Sequence, residues 1–166
     1  MSGTIIFKAE KGDLVGESTL EGQDGWINLS SFSHSVQLPL AIDPLQNKRT
    51  AGTATASQFN FTKLMDKTST AFAQCCASAT DLGKVTIKLL QESGPVKLEL
   101  MTYEMENCLV GSYSVGGGGG VPTENVAISF TKITANYKVQ KADATAEGQK
   151  GFVFEVSKGK ATVAAG

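Results

Sequence analysis

The sequence contains one histidine and three cysteines, which are the residues to test first as a catalytic base, a thiol nucleophile or zinc ligands. They are His34, Cys75, Cys76 and Cys108. A Ser-His or Cys-His pair would have to use His34, which lies among small hydroxyl residues and is more simply a structural or surface histidine. A zinc site would need all four, but Cys75 and Cys76 are adjacent and lack the two-residue gap usual in zinc ligands. We therefore expect no catalytic residue and no metal site.

Two glycine-containing motifs partly match known binding or catalytic motifs but lack required residues. The five glycines at 116–120 are not followed by the lysine and helix of a phosphate-binding loop, so we expect no nucleotide and no cofactor. The Gly16-Glu17-Ser18 motif lacks the second glycine that a serine hydrolase elbow needs. A glycosidase pair among the scattered carboxylates stays open, although few aromatic residues accompany them to bind a sugar.

The elements that would position any site are mostly strands. Gly, Pro, Asn and Asp clusters separate runs of apolar and β-branched residues, and the candidate strands are 4–9, 26–40, 53–65, 84–91, 96–113, 125–139 and 152–156. After Phe59, Phe61, Lys63 and Met65, which fall on one face, the pattern changes to helical spacing. We predict one short helix at about 69–79, with Ser69 as its N-cap.

The long strands change phase partway along. The apolar face of 96–105 switches between Leu100 and Met101, and that of 125–139 switches between Phe130 and Ile133. A one-residue slip moves side chains to the opposite face, so each switch implies a bulge or a bend, as where a strand passes between sheets. We predict a mainly β fold, a two-sheet antiparallel β-barrel with the helix flanking it and extended loops.

Three segments lie outside this pattern. Residues 41–52 are polar, contain Pro44 and are predicted to project from the barrel as a loop. Residues 141–150 have no apolar period and are predicted to be mobile, and the tail after Val156 is predicted to fray.

Composition excludes several classes of function. The chain has 166 residues, the length of a single domain. Its formal charge is -1 and it has a single arginine, so we expect no nucleic-acid partner. Its start is acidic and its end is basic; these are ordinary solvated faces or complementary contacts between neighbouring copies. No apolar run is long enough to span a membrane, and the start lacks the pattern of a cleavable signal peptide. The three cysteines are expected to be reduced thiols of a protein made in the cytosol.

Several short motifs, in this order and spacing, resemble one known family. They are Gly16-Glu17-Ser18, Trp26-Ile27-Asn28-Leu29, Ser31-Phe32-Ser33-His34, Phe61-Thr62-Lys63, Met65-Asp66-Lys67-Thr68-Ser69, Leu109-Val110, Ser112-Tyr113-Ser114, the glycine run, Thr123-Glu124-Asn125-Val126, Phe130, Tyr137 and Gln140-Lys141-Ala142-Asp143. Over nearly its whole length the chain resembles the haemolysin-coregulated protein (Hcp) family, the tube subunits of bacterial type VI secretion systems.

The resemblance implies a single Hcp-like domain over 1–166 and a structural role rather than an enzymatic one. Six copies would form a homo-hexameric ring, and the rings would stack into a tube inside a contractile sheath, tipped by a trimeric spike protein. The tube would be secreted from the bacterial cytoplasm to the extracellular space or a target cell without a cleavable signal peptide. It would carry effector proteins in its lumen.

The alternation along the strands and the projecting loop then suggest one functional surface each. The polar alternates Ser31, Ser33 and Ser35 are candidates for the lumen wall. The projecting loop is the candidate for contact between stacked rings, through Asp43, Leu45, Gln46, Asn47, Lys48 and Arg49. Because polar surfaces give little net affinity once desolvation is counted, this contact is expected to be weak.

Three other functions stay open on sequence alone. A bacteriophage tail-tube subunit would share the fold. A monomeric β-barrel binding module would stay monomeric at high concentration, and an enzyme would lose activity when His34 or Ser33 was replaced.

Overall fold

The computed structural model describes residues 3–140, 146–156 and 160–164, and they form mainly strands, as predicted. The elements are β1 (Gly3–Ala9), β2 (Ile27–Leu29), β3 (Ser31–Ser33), β4 (Val36–Gln37), β5 (Leu40–Asp43), β6 (Lys48–Ala51), β7 (Thr55–Ala56), β8 (Phe59–Leu64), α1 (Ser69–Ala77), β9 (Gly83–Ser93), β10 (Val96–Gly116), β11 (Thr123–Ser129), β12 (Lys132–Gln140), β13 (Ala146–Glu155) and β14 (Lys160–Ala164).

Two antiparallel sheets share the long strand β10. Sheet A has the order β2-β1-β9-β10-β12-β13-β14, and sheet B has the order β10-β11-β8-β3. Residues 101–106 of β10 pair with β12 in sheet A, whereas residues 109–116 pair with β11 in sheet B. The register of β10 against β9 shifts between Glu99 and Met101, where the apolar pattern changes face, so this predicted bulge is confirmed.

On the other side of the fold, the chain itself joins the two sheets. β2 pairs with β1 and β3 pairs with β8, with Ser30 alone between β2 and β3. The Ser30 amide donates to the Thr62 carbonyl at 2.7 Å. The mainly β, antiparallel fold is therefore confirmed. Among the described residues the hydrogen-bond ladder does not run all the way round, because a bend in the chain forms this corner.

Three predicted strands are divided. Residues 26–40 contain β2, β3, β4 and the first residue of β5, and residues 53–65 contain β7 and β8. Residues 125–139 contain parts of β11, which pairs with β8, and of β12, which pairs with β13. The break lies at Phe130 and Thr131, so the second phase change marks a passage between sheets rather than a bulge within one strand.

The C-terminal segment has more regular structure than predicted. In the segment 141–150, residues 146–150 belong to β13, and in the tail after Val156, residues 160–164 form β14. Residues 141–145, 157–159, 165 and 166 lie outside the described residues. Strands β13 and β14 pair with each other from Gly151 opposite Ala164 to Glu155 opposite Lys160. The prediction was wrong for residues 146–150, which pair with β12, and for residues 160–164, which pair with β13, because main-chain pairing at a sheet edge orders them without an apolar side-chain period.

Helix α1 has nearly the predicted bounds but a different start. Ser69 is the first helical residue rather than the N-cap. Its hydroxyl accepts the Asp66 amide at 3.0 Å, and the Asp66 carboxylate accepts the Thr68 amide at 2.8 Å. The N-cap prediction was wrong: the N-cap is Thr68, and the Ser69 hydroxyl is directed back to the Asp66 amide in the turn at the end of β8.

The core lies between the sheets and contains an aromatic cluster onto which α1 packs. Phe7, Phe61 and Phe72 are buried, with ring centroids 5.1 Å apart for Phe7 and Phe61 and 5.8 Å apart for Phe61 and Phe72. Burying each such ring contributes roughly 2 kcal/mol. This cluster fixes the inner face of sheet B and leaves its outer face for other uses.

Candidate assembly surfaces

The outer face of sheet B carries small, uncharged side chains. Ser31 and Ser33, two of the three predicted lumen serines, are exposed on β3, while Phe32 between them packs against the core. The strand registers extend this face into two rows across the sheet. The rows are Ser31, Thr62, Asn125 and Ser114, and Ser33, Asn60, Ala127 and Ser112. We call this surface the polar face.

A shallow depression of about 230 Å³ lies on the polar face, and every residue that lines it is uncharged. The hydroxyl groups of Ser31 and Thr62 hydrogen-bond to each other across the two strands. A partner that contacts this surface desolvates no charge, and it meets hydroxyl and amide groups beside Phe32, which also lines the depression.

Ser35, the third predicted lumen serine, lies apart from the other two. β3 ends at Ser33, and Ser35 pairs instead with Ser57, accepting the Ser57 amide at 2.8 Å and donating its own amide to the Ser57 hydroxyl at 3.0 Å. Ser35 is exposed, but it marks the base of the projecting segment rather than the polar face.

The predicted projecting loop is a β-hairpin. We call residues 35–53 the arm; all of them are exposed, and β5 pairs with β6 from Leu40 opposite Ala51 to Asp43 opposite Lys48. The remaining predicted contact residues form its tip: Leu45, Gln46 and Asn47 in the turn and Arg49 on β6. The Asp43 carboxylate accepts the Leu45 amide at 2.9 Å, which orders the turn.

Sequence reasoning described residues 41–52 as a polar loop and missed the apolar side of the longer arm. Five large apolar side chains are exposed along it: Val36, Leu38, Leu40, Ile42 and Leu45. Leu45, at the tip, is 95% exposed. The alternation from Val36 to Ile42 was the available signal, because residues two apart on an extended chain share a face. An exposed apolar row of this kind is typical of an interaction surface.

A second depression, of about 290 Å³, lies at the opposite end of sheet B from the arm. We call it the rim depression; its residues are Glu17, Asn28, Leu29, Ser30, Leu64, Met65 and Asp66. β8 ends at Leu64, so Met65 lies beyond the strand and does not face the core as its spacing suggested. Both side chains are exposed.

Glu17 is held in the rim depression by its neighbours. The Gly16 amide donates to the Gly25 carbonyl at 2.8 Å, and the Ser18 amide donates to the Trp26 carbonyl at 3.0 Å. A Cβ at position 16 would lie 2.1 Å from that Trp26 oxygen, so only glycine fits there. The first motif of the family pattern thus fixes the backbone on both sides of an exposed carboxylate.

A buried ion pair connects two other motifs. Lys63 on β8 and Glu124 on β11 are directly paired in register, both side chains are fully buried, and Lys63 Nζ lies 2.6 Å from Glu124 Oε2. Lys63 Nζ also donates to Asp66 Oδ1 at 2.9 Å, and the Tyr113 hydroxyl donates to Glu124 Oε1 at 2.6 Å. Sequence reasoning missed this cluster. The signal was Lys63 at the inward position of the row that follows Phe59 and Phe61.

The cluster shifts two pKa values. Burial raises the pKa of Asp66, but hydrogen bonds from Thr68 and Lys63 lower it by more, so the net pKa lies below its ordinary value. Burial, with the neighbouring Glu124 carboxylate, raises the pKa of Tyr113 to about 12. Every ionisable member is satisfied by a partner in the described structure, as a structural network requires.

The side chains with catalytic potential are not assembled into a site. His34 stacks on Phe59 and packs against Phe130 with the two rings tilted, burial lowers its pKa, and no described hydroxyl or thiol hydrogen-bonds to it. Burial raises the pKa of the Cys108 thiol to about 12, which suppresses its thiolate. In the part of the chain that the structure describes, no group of acidic, histidine or cysteine side chains has the arrangement of a metal site. That part also holds no helix of the length and apolarity that crossing a bilayer requires.

The comparisons with known proteins agree with the fold. A solved structure described as a type six secretion system protein superposes with a TM-score of 0.87 at 20% identity, covering 97% of this chain and 100% of its own. Hcp1 from Salmonella typhimurium gives a TM-score of 0.77 at 18% identity, covering 98% of this chain and 100% of its own. At such identities these two matches establish the fold.

Two sequence matches go further. Protein hcp1 of Pseudomonas aeruginosa is 31% identical over 91 residues, 54% of this chain, and the chain spans about half (56%) of that relative's length. The family model described as "Type VI secretion system effector, Hcp" matches residues 7–137, most of the chain. The chain therefore belongs to the Hcp family of type VI secretion tube proteins.

Proposed function

We propose that this chain is a structural subunit of a type VI secretion inner tube. Six copies form a ring, rings stack, and the tube is itself secreted and carries effector proteins in its lumen. The observation that carries the proposal is the polar face, with its two rows of small uncharged side chains on a sheet whose other face is core. Such a wall suits cargo of varied charge, because no cargo has to match or displace a fixed ion.

The other surfaces fit the same role. A ring of identical subunits needs two different complementary surfaces on each subunit, and the subunit here exposes more than one distinct surface. The arm is the proposed contact between rings. The remaining proposed partners are a trimeric spike at the tip of the tube, a contractile sheath around it, and the effectors. The subunit is made in the bacterial cytoplasm and leaves through the secretion system.

The oligomeric mass tests the ring. Light scattering after size exclusion of the untagged protein should give six times the chain mass of 17.4 kDa, and electron micrographs of the same peak should show six-fold rings. A monomer at every concentration would favour a β-barrel binding module instead.

Cargo retention tests the lumen wall. Ser33→Gln places a longer side chain on the polar face, and we expect rings of this variant to lose the proteins that co-purify with parent rings from the native bacterium. Thr70→Gln, at an exposed position of α1, is the matched control and should retain them. Equal retention by the two variants, with both forming rings, would remove Ser33 from the wall.

A further inference from the structure

We propose that His34 is a pH-sensitive hinge at the base of the arm, which holds the base against the core while its ring is neutral and releases it when the ring is protonated. The inference concerns a single subunit, so it does not depend on the proposed rings. It gives a role to the one histidine of the chain, which the structural function leaves unused.

His34 lies where the chain leaves sheet B. β3 ends at Ser33, and the arm, residues 35–53, is exposed throughout. On the outgoing side of the arm, His34 is therefore the last side chain in contact with the core. On the returning side, the side chains that pack against the core are those of Ala54 and Ala56. Because alanine buries little apolar surface, the histidine ring is the largest group that fixes the base of the arm.

The main-chain contacts beside His34 are few. The Ser57 amide donates to the Ser35 carbonyl at 2.8 Å, and the Ser35 amide donates to the Ser57 hydroxyl at 3.0 Å. Beyond them, β4 and β7 are paired only from Val36 opposite Ala56 to Gln37 opposite Thr55. Short, exposed pairings of this kind open at a small cost in free energy, so the packing of one ring can decide whether the base is closed.

The side chains that face the ring carry no charge. Its centroid lies 5.8 Å from that of Phe59, on β8, and 5.8 Å from that of Phe130, at the corner between β11 and β12. Tyr103 on β10 also contacts Phe59, and burial raises its pKa above the ordinary value of 10, so it is neutral in acid. Among the described residues, no carboxylate or ammonium group pairs with His34.

One ring nitrogen distinguishes the two protonation states. Nε2 is buried, and no described atom hydrogen-bonds to it. The neutral ring can carry its proton on Nδ1 and leave Nε2 without one. Protonation makes Nε2 a donor as well, and a charged N–H then lies beside two phenylalanine rings with no acceptor. Since a ring face is a poor substitute for an acceptor, Nε2 gains one only when the ring leaves this position and the base of the arm opens.

Acid, not base, opens the hinge. Burial lowers the pKa of docked His34 below its ordinary value of 6.5, to which it returns when the base opens. The open state therefore binds more protons below pH 6.5, and the equilibrium constant for opening rises by up to tenfold for each pH unit between 6.5 and the docked pKa. Because the arm is the proposed contact between rings, mild acid would weaken that contact without unfolding the subunit.

Amide hydrogen exchange of the full chain tests the hinge. Exchange at the Ser35 and Ser57 amides is followed by mass spectrometry with fragmentation to single residues, and each rate is corrected for that of an unprotected amide at the same pH. We expect the opening constant to be unchanged from about pH 7.5 to about pH 6.5 and to rise by up to roughly tenfold by about pH 5.5.

Two variants assign the effect to His34. His34→Phe keeps an aromatic ring beside Phe59 and Phe130 that cannot be protonated, so its opening constant should not change with pH. Asp43→Asn is the matched control: it removes a carboxyl group from the arm but keeps an oxygen that can accept the Leu45 amide, and it should retain the pH dependence of the parent. The same pH dependence in the parent and in His34→Phe would overturn the hinge.

The titration of the ring itself needs no variant. Because His34 is the single histidine, its ring signals in NMR spectra have no overlap with those of another imidazole. Their titration midpoint should lie below 6.5. A midpoint at or above this value would mean that the docked ring tolerates its charge, and it would overturn the proposal even if His34→Phe failed to fold. Failure to form hexamers, seen by light scattering of the same samples, would count against the proposed function alone.

Discussion

Lys63 and Glu124 form the buried ion pair that joins β8 to β11. Their side chains are fully buried, and the hydrogen bonds to Asp66 and Tyr113 connect β8, β11, β10 and the turn before α1. A buried pair adds little to stability compared with an apolar replacement, but loss of one partner leaves an uncompensated charge in the core. The pair therefore fixes a geometry: it holds β11 in register with β8, the two central strands of the polar face.

We expect Glu124→Gln to destabilise the subunit by about 3 kcal/mol, because it removes the fully buried anion of Lys63 and leaves its ammonium with Asp66 as its remaining carboxylate partner. Glu104→Gln is the matched control. It breaks the exposed pair in which Lys84 Nζ lies 3.1 Å from Glu104 Oε2. That loss should be under about 1 kcal/mol. Urea unfolding of both variants measures the difference, and equal losses would mean that the Lys63–Glu124 pair is not buried as described.

The low pKa of Asp66 gives a pH dependence with a definite sign. A carboxyl whose pKa is lower in the folded state than its ordinary value of 3.8 contributes its stability above that value and loses it as the pH falls through the folded pKa. Asp66→Asn removes the charge and keeps an oxygen that can accept from Thr68. The free energies of unfolding of parent and variant should differ by a constant amount above about pH 5 and converge below it. Parallel curves down to acid unfolding would contradict the assignment.

At the scale of elements, the sequence predicts what side-chain alternation records and misses what the main chain decides. The bulge near Leu100 and the break at Phe130 were visible because each moves apolar side chains to the other face. The pairing of residues 146–150 with β12 and of β14 with β13 was not visible, since each follows from the edge that the preceding strand offers to a segment with no apolar period. The polar face was predicted only through Ser31 and Ser33. Its other members needed the register between β3, β8 and β11, which a single sequence does not contain.

The arm can be removed at a point that the structure makes specific. The Gly52 amide donates to the Pro39 carbonyl at 2.8 Å, so the two sides of the arm meet there. Deleting residues 40–51 and joining Pro39 to Gly52 removes the tip and β5–β6 without stretching the chain. We expect hexameric rings of unchanged thermal stability that no longer stack, as measured by sedimentation velocity and electron microscopy. Loss of the rings themselves would mean that the arm also contributes to the interface within a ring.

At the scale of the whole molecule, the proposed stacking of rings through the arm predicts that a ring without arms still accepts arms from a neighbour and then ends the tube, provided that the arm contacts a surface other than a second arm. Adding armless rings (residues 40–51 deleted) to parent rings in substoichiometric amounts should therefore shorten the tubes in proportion to the ratio added, as measured from electron micrographs. Armless rings that also carry Glu17→Lys test whether the rim depression is the surface that accepts the arm, because they should leave tube length unchanged if it is. The comparison separates the two surfaces, because both additives lack the arm and differ only at the rim depression. If both additives shortened the tubes equally, the surface that accepts the arm would lie elsewhere on the subunit.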